Sequence, residues 1–373
     1  MKVPFLDLPA QHIGLKQQLL NVASRAMDTA SFIGGVEVTG LEAGFAAYCG
    51  AAHCVGVSSG TSALRLALQA MGIGRGDVVL TVPNTFIATT EAVSQAGATF
   101  DFVDVDAEDC LMDMNRLEDR LKRGPQRPRA VIPVHLYGQC ADMGALADLA
   151  SRYEFEVLED ACQAHGASQN GRKAGTLARA AAFSFYPGKN LGACGEAGCV
   201  TTNDASLAKT IGILRDHGQG RKYHHDLEGT NARLDALQAG FLRVKLPHLE
   251  GWNERRRAVA QAYDQAFSGI AGVRPVVVRP GNVPSRHLYV LHVPEREGLR
   301  EHLAALDIGA GLHYPVPLHL QECYRHLGYG LGSFPAAEAS AASLISLPLF
   351  PEITGEQVSF VIASVLGYLG VSR

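Results

Sequence analysis

The chain has 373 residues, room for one large α/β unit and a smaller companion. Apolar residues make up 47% and charged residues 19%, which excludes a disordered chain. Thirty-three basic against thirty-seven acidic side chains leave a net charge of −4, so nothing points to a nucleic-acid partner.

In chain order, short β-rich runs at 55–57, 78–82, 100–105, 130–137, 155–159 and 182–185 alternate with helical segments. One helix is clearly marked: Asp142 is a good N-cap, and Leu146, Leu149, Ala150 and Tyr153 recur at helical spacing. Strand, helix, strand within about thirty residues is a right-handed crossover, so a largely parallel sheet covered on both faces is expected. Beyond residue 232, Leu234, Leu237, Phe241 and Val244 step along a helix that Pro247 must bend or end. Helical texture resumes through Trp252 to Phe267, and short strands mix with helices to the end. These features predict a large domain over residues 1–249 and a smaller α+β domain over 250–373. No apolar run approaches the roughly 18 residues of a membrane span, and MKVPFLDLPAQH lacks a secretory pattern. Eight cysteines without a CxxC pair and fourteen histidines without ligand spacing predict reduced thiols, no metal and a cytoplasmic location.

In open parallel sheets ligands sit beyond the carboxyl ends of the strands, and three ends carry chemistry here. The first runs into Ser58-Ser59-Gly60-Thr61-Ser62 at the start of an apolar-striped helix, where free N–H groups suit a phosphate. The same residues also describe an ordinary capped helix. Neither GxxxxGK[ST] nor GxGxxG occurs, against a nucleotide P-loop or a dinucleotide site. The second end carries Glu159-Asp160; an acid there is either a turn cap or the partner of a cationic ring nitrogen. The third leads from Phe185-Tyr186 into Pro187-Gly188-Lys189, a lysine in a tight turn flanked by aromatics. Partial desolvation makes such an amine nucleophilic toward carbonyls, whereas other lysines such as Lys173 and Lys209 lie in polar or helical contexts. A phosphate anchor, a ring-nitrogen partner and an amine for an aldehyde are the three requirements of pyridoxal phosphate.

The segments SSGTSALRLAL, VPNTFIAT, VHLYGQCADM, EDACQAHGA, SFYPGKNLGACGEAG, HGQGRKYHHDLEGTNARLDALQA and LHYPVPLHLQ carry a further signal. In that order they resemble the DegT/DnrJ/EryC1/StrS family of sugar aminotransferases. The resemblance implies a type I aminotransferase fold, a homodimer with shared active sites, and transfer of an amine from L-glutamate to a keto-sugar. By position, Lys189 corresponds to the lysine that carries pyridoxal 5'-phosphate in the family and Asp160 to the partner of the ring nitrogen. Gln163 corresponds to the contact of the ring hydroxyl and Phe86 to the ring-stacking residue. Gly60, Thr61, Ser62 and Ser184 correspond to the phosphate site, and Asn231 to an asparagine reaching the phosphate of the other subunit. His313, Tyr314, Tyr186, Tyr223, His225 and Arg233 become expected neighbours of substrate. Cys162, Cys194 and Glu196 depart from the family's common alanine, tyrosine and aspartate.

The tract from His217 to Asn231 resembles enzymes acting on nucleotide-linked 3-keto hexoses. Amination at C4, a keto-cyclitol acceptor, a sugar dehydratase and a non-catalytic regulator are the alternatives. Dehydratases of the family replace the lysine, often with histidine, so Lys189 argues against that class.

Overall fold

The computed structural model describes residues 1–124 and 126–371. Its centre is a seven-stranded sheet of His53–Val57 (β1), Val78–Thr81 (β2), Thr99–Phe102 (β3), Ala130–Val131 (β4), Glu156–Asp160 (β5), Ala180–Ser184 (β6) and Gly198–Thr202 (β7). The strand order is β1-β7-β6-β5-β4-β2-β3. The ladder from β6 through β5, β4 and β2 to β3 is parallel; β7 runs antiparallel to both its neighbours, β1 and β6. The architecture is therefore the expected α/β one.

The sequence pattern had not marked β7. The segment between β6 and β7 carries no helix, so the chain has no crossover and returns antiparallel. The predicted strand 130–137 is also shorter than expected. Pro133 has no N–H for the ladder, and Tyr137 and Gly138 take positive φ of 60° and 92° in the turn Leu136–Gly138.

Alternation along β6 explains how the sheet is buried on both faces. Ala180 and Ala182 face a core shared with Leu64 and Leu68 of helix Gly60–Ala70. Ala181 and Phe183 face the opposite core with Leu41 and Phe45 of helix Gly35–Cys49. Phe45 meets Phe183 edge-on at 5.0 Å, an arrangement favoured by the ring quadrupoles. Helix Met143–Tyr153 begins where predicted, with the Asp142 side chain accepting from Ala145 N. Such a cap contributes about 1 kcal/mol.

Pro247 falls in a 3₁₀ turn, Leu246–His248, joining helices Ala236–Lys245 and Leu249–Phe267. Beyond it, Arg274–Pro275 (β8), Tyr289–His292 (β9) and Leu344–Leu347 (β10) form an antiparallel sheet. Helices Leu249–Phe267, Arg296–Ala305 and Gly355–Tyr368 pack against it. The opening residues, grouped by sequence with residues up to 249, join this second core: Val3 is buried there and bridges Ile308. Conversely, Leu288, Val290, Leu318, Phe334 and Ala337 are buried in the core of the large sheet. The two parts therefore share packed surface, and the cavity described next opens between them. Among the described residues no helix is long and apolar enough to cross a membrane.

Candidate active site

A cavity of about 640 Å³ lies at the carboxyl ends of β5 and β6, roofed by residues of the C-terminal part. Gly60, Thr61, Phe86, Asp160, Gln163, Ser184, Tyr186, Lys189, His313 and Tyr314 all line it.

The first wall is the start of helix Gly60–Ala70. Ser59 caps it, its hydroxyl accepting from Ser62 N at 3.1 Å, and Ser62 Oγ pairs with Ser58 Oγ at 2.9 Å. Ser62 therefore shapes the turn from behind and does not line the cavity. A side chain at position 60 would lie 2.7 Å from Ser184 Cβ and 2.9 Å from Cys162 Sγ. One at position 198 would lie 2.4 Å from the Ser59 carbonyl carbon. The two glycines let the helix start descend onto the ends of β6 and β7, presenting its N–H groups beside Ser184.

Asp160 and Glu159, adjacent at the end of β5, serve opposite faces of the strand. Glu159 is fully buried and accepts from Gly175 N, Leu177 N and Ala178 N at 2.8–2.9 Å. It also meets His135 Nε2 at 3.0 Å. His135 Nδ1 accepts from Ala141 N, so the ring hydrogen sits on Nε2 and donates to Glu159. That carboxylate anchors the strand. Asp160 faces the cavity: Oδ2 accepts from Thr89 Oγ1 at 2.8 Å and Oδ1 from Cys162 N at 3.2 Å. Thr89 in turn pairs with Thr85 Oγ1 at 2.9 Å.

Lys189 follows β6 in a turn closed by its own N–H to the Tyr186 carbonyl at 2.8 Å. Its neighbour Asn190 is buried and locks the loop. Asn190 Nδ2 donates to Asn253 Oδ1 at 2.8 Å and to the Ser285 carbonyl at 2.9 Å, and Oδ1 accepts from His287 Nδ1 at 3.0 Å. The Lys189 ammonium has no hydrogen-bond or ion-pair partner among the described residues. Burial pushes its pKa below the ordinary lysine value, against the opposing fields of Cys162 and Asp160. An amine held near the carboxyl ends of the strands, half-buried and without an ion-pair partner among the described residues, is poised to act as a nucleophile.

The outer wall is aromatic and amide-bearing. Phe86, 55% exposed at the mouth, lies 5.7 Å from the Tyr314 ring. Gln163 donates from Nε2 to Tyr314 Oη at 3.2 Å and accepts from Tyr137 N at 2.8 Å, which fixes the amide's orientation. His313 Nδ1 pairs with Ser346 Oγ at 2.9 Å, and its carbonyl accepts from Tyr137 Oη at 2.6 Å. Burial, with the Lys189 field, pushes His313 down to about 4, so its imidazole is neutral at physiological pH.

Besides Ser62, four of the residues expected near substrate or cofactor lie outside this chain's cavity. Tyr223 and His225 stand on an exposed hairpin, and Asn231 is exposed beyond it. Arg233 is paired with Asp216. Conversely, Thr85, Thr89, Cys162, Arg256 and His287 line the cavity without having been singled out as site residues. Thr85 and Thr89 flank Phe86 at helical spacing, a signal readable in the sequence. Arg256 sits within the charged run Arg255-Arg256-Arg257, which hides its place on the stripe of Trp252, Ala260 and Tyr263.

The model of the DegT/DnrJ/EryC1/StrS aminotransferase family matches residues 14–366. The chain belongs to this family. The dTDP-3-amino-3,4,6-trideoxy-alpha-D-glucose transaminase of Streptomyces venezuelae is 43% identical over 98% of this chain and 95% of its own. The erythromycin biosynthesis sensory transduction protein EryC1 of Saccharopolyspora erythraea is also 43% identical, over 98% and 99%. The crystal structure of S. venezuelae DesV in complex with a ketimine intermediate superposes with a TM-score of 0.96 at 43% identity, covering both chains completely. The cavity thus belongs to a DegT/DnrJ/EryC1/StrS chain whose large sheet and C-terminal part follow those of a solved member throughout.

Proposed function

We propose that this protein is a pyridoxal-phosphate-dependent aminotransferase that moves an amino group from L-glutamate to the 3-keto form of a nucleotide-linked hexose. The observation that carries the reading is one cavity wall holding a helix N-terminus, a buried carboxylate and an unpartnered lysine. The residues fit the cofactor. The approach that Gly60 permits leaves the first-turn N–H groups of the helix, Thr61 and Ser184 for a phosphate dianion. Asp160 suits a protonated ring nitrogen, Gln163 the ring hydroxyl and Phe86 the ring face. Lys189 suits the aldehyde.

Bound pyridoxal phosphate supplies an electron sink for negative charge developing on the donor's α-carbon. The residues supply placement and proton movement. Asp160, held by Thr89 and the Cys162 N–H, keeps its charge directed at the ring-nitrogen position. Lys189 Nζ, its pKa lowered by burial, is the group that takes the proton from the donor's α-carbon. His313 and Tyr314 face the acceptor sugar.

A homodimer completes the site in this proposal. Ile13, Met27, Ile33 and Val36 are 80, 71, 64 and 77% exposed, an apolar concentration over residues 13–36 that a second copy would cover. Asn231 and the hairpin of Tyr223 and His225 then reach the neighbouring subunit's cavity, which accounts for their exposure in a single chain. Mixing separately inactive Lys189→Ala and Asn231→Ala proteins tests this. Mixed dimers place both lesions in one site and leave the other intact, so activity partly returns. No recovery despite demonstrated subunit exchange contradicts the shared site.

The acceptor is tested by incubating the holoenzyme with L-glutamate and a panel of nucleotide-linked 3-keto and 4-keto hexoses. The expected outcome is 2-oxoglutarate formed together with a sugar aminated at C3. Amination at C4 would overturn the regiochemistry, and no product from any member would overturn the substrate class. The name of the S. venezuelae transaminase, which specifies a 3-amino sugar, supports the C3 choice.

A further inference from the structure

We propose that Arg256 binds a carboxylate of the amino donor, at the end of the cavity built by the C-terminal part of the chain; this rests on the aminotransferase reading above. Four residues lining the cavity are formally charged: Asp160, Lys189, Glu196 and Arg256. Asp160 and Lys189 are committed to the ring nitrogen and the aldehyde in the proposed function. Glu196, exposed at the mouth, is anionic. A dicarboxylate donor entering this space therefore finds one uncommitted cation among the described residues.

Arg256 is built for that role. It projects from helix Leu249–Phe267 and is only 2% exposed, yet no carboxylate of the described residues comes within ion-pair distance of it. Among the described residues its hydrogen bonds are confined to Nη1, which donates to the Leu349 carbonyl at 2.8 Å and the His287 carbonyl at 3.4 Å. Nε is buried without a partner. Glu352 is the acid whose field reaches it, but Glu352 Oε2 is itself buried and unpartnered, so the two do not satisfy each other.

A buried guanidinium with no carboxylate of the described residues at ion-pair distance is costly, and an anion arriving beside it recovers part of that cost. The guanidinium's planar fork matches a carboxylate. The imidazoles nearby do not compete: His287 and His313, both on the cavity wall, are kept neutral by burial. The Nη1 bonds fix Arg256 to the segments that also carry His287 and Leu349, so the fork is oriented before the donor arrives.

The test uses the holoenzymes of wild type, Arg256→Gln and Arg256→Lys, following the visible absorption as each amine is added. With L-glutamate, half-saturation is expected to rise at least about tenfold in Arg256→Gln, the loss of a charge-assisted hydrogen bond, and by less in Arg256→Lys. Methoxyamine, which attacks the same aldehyde without a carboxylate, is expected to react at the wild-type rate in both. Aminooxyacetate separates the two carboxylates of glutamate. A weakened reaction with it assigns Arg256 to the carboxylate beside the reacting carbon, and a weakened response to glutamate alone assigns the distal one. Unchanged half-saturation for glutamate overturns the inference, as does a loss of methoxyamine reactivity equal to the loss for glutamate. Should Arg256→Gln fail to fold, the same two criteria apply to Arg256→Lys. Absence of a visible band in the wild type would instead overturn the cofactor reading itself.

Discussion

Replacing Lys189 with alanine is expected to lower turnover at least about 10⁴-fold, the upper end for a positioned proton-transfer group. In the proposed mechanism the same amine tethers the cofactor and moves the proton, so no neighbour can substitute. Cys162 lines the same space, but burial and the Asp160 charge push its thiol well above the ordinary range and keep it protonated. The fold is expected to survive. Lys189 makes no side-chain hydrogen bond among the described residues, and its burial disfavours the charged form. The sign follows: a lysine whose folded pKa is depressed weakens the folded state below that pKa, and the penalty fades as pH rises toward the unfolded value. Removing it therefore forfeits no stability, and the cofactor-free variant should melt with the cofactor-free wild type. Retained transfer in this variant would mean that another residue is the nucleophile; collapse of the cofactor-free protein would mean that Lys189 is structural.

Asp160→Asn is expected to lower turnover by about a hundredfold or more, the scale of losing one preorganised electrostatic partner. The protein should keep its visible absorption. The amide preserves the local hydrogen bonds: its oxygen can accept from the Cys162 N–H, and its NH₂ can donate to Thr89. The Thr85–Thr89 hydroxyl pair can reverse direction to allow this. What is lost is the negative charge facing the ring-nitrogen position. Steady-state rates with L-glutamate, set beside the absorption spectrum, check both halves of the expectation. An unaltered rate would assign Asp160 to the scaffold, a role the structure gives to Glu159, whose carboxylate is filled by three backbone N–H groups and His135.

These two residues were readable from sequence because each ends an apolar run. Each alone also fits a turn or a cap, but an acid and an amine at the ends of neighbouring strands, Glu156–Asp160 and Ala180–Ser184, together with a phosphate-ready helix start, point to one site. The helix start at Gly60 was readable for the same reason. The parts that were not readable depend on contacts distant in the chain. Strand β7 is antiparallel because of a connection that carries no helix, which strand propensity does not reveal. Pro133 lies within an otherwise apolar run, so strand propensity carries the element past the point where its missing N–H ends the ladder of β4. Arg256 stands four residues after Trp252 and four before Ala260, on the buried stripe of its helix, but its charge and its neighbours Arg255 and Arg257 mask that spacing. The opening residues were grouped with their neighbours in sequence, whereas Val3 pairs with Ile308 three hundred residues away. Tyr223, His225 and Asn231 project away from this chain's cavity because their proposed partners belong to a second copy, whereas Arg233 is held by Asp216 of its own chain.

The relatives bear on the non-catalytic alternative. A transaminase and a protein named for sensory transduction are equally similar to this chain, so likeness alone does not separate enzyme from regulator. The cavity does: a regulator has no need of an unpartnered lysine beside a buried acid.

The most direct measurement is borohydride reduction of the purified holoprotein, followed by peptide mass mapping. The account predicts a pyridoxyl phosphate adduct on the peptide that contains Lys189, formed with loss of the visible band. An adduct confined to another lysine, or a protein that takes up no pyridoxal phosphate at all, would contradict it.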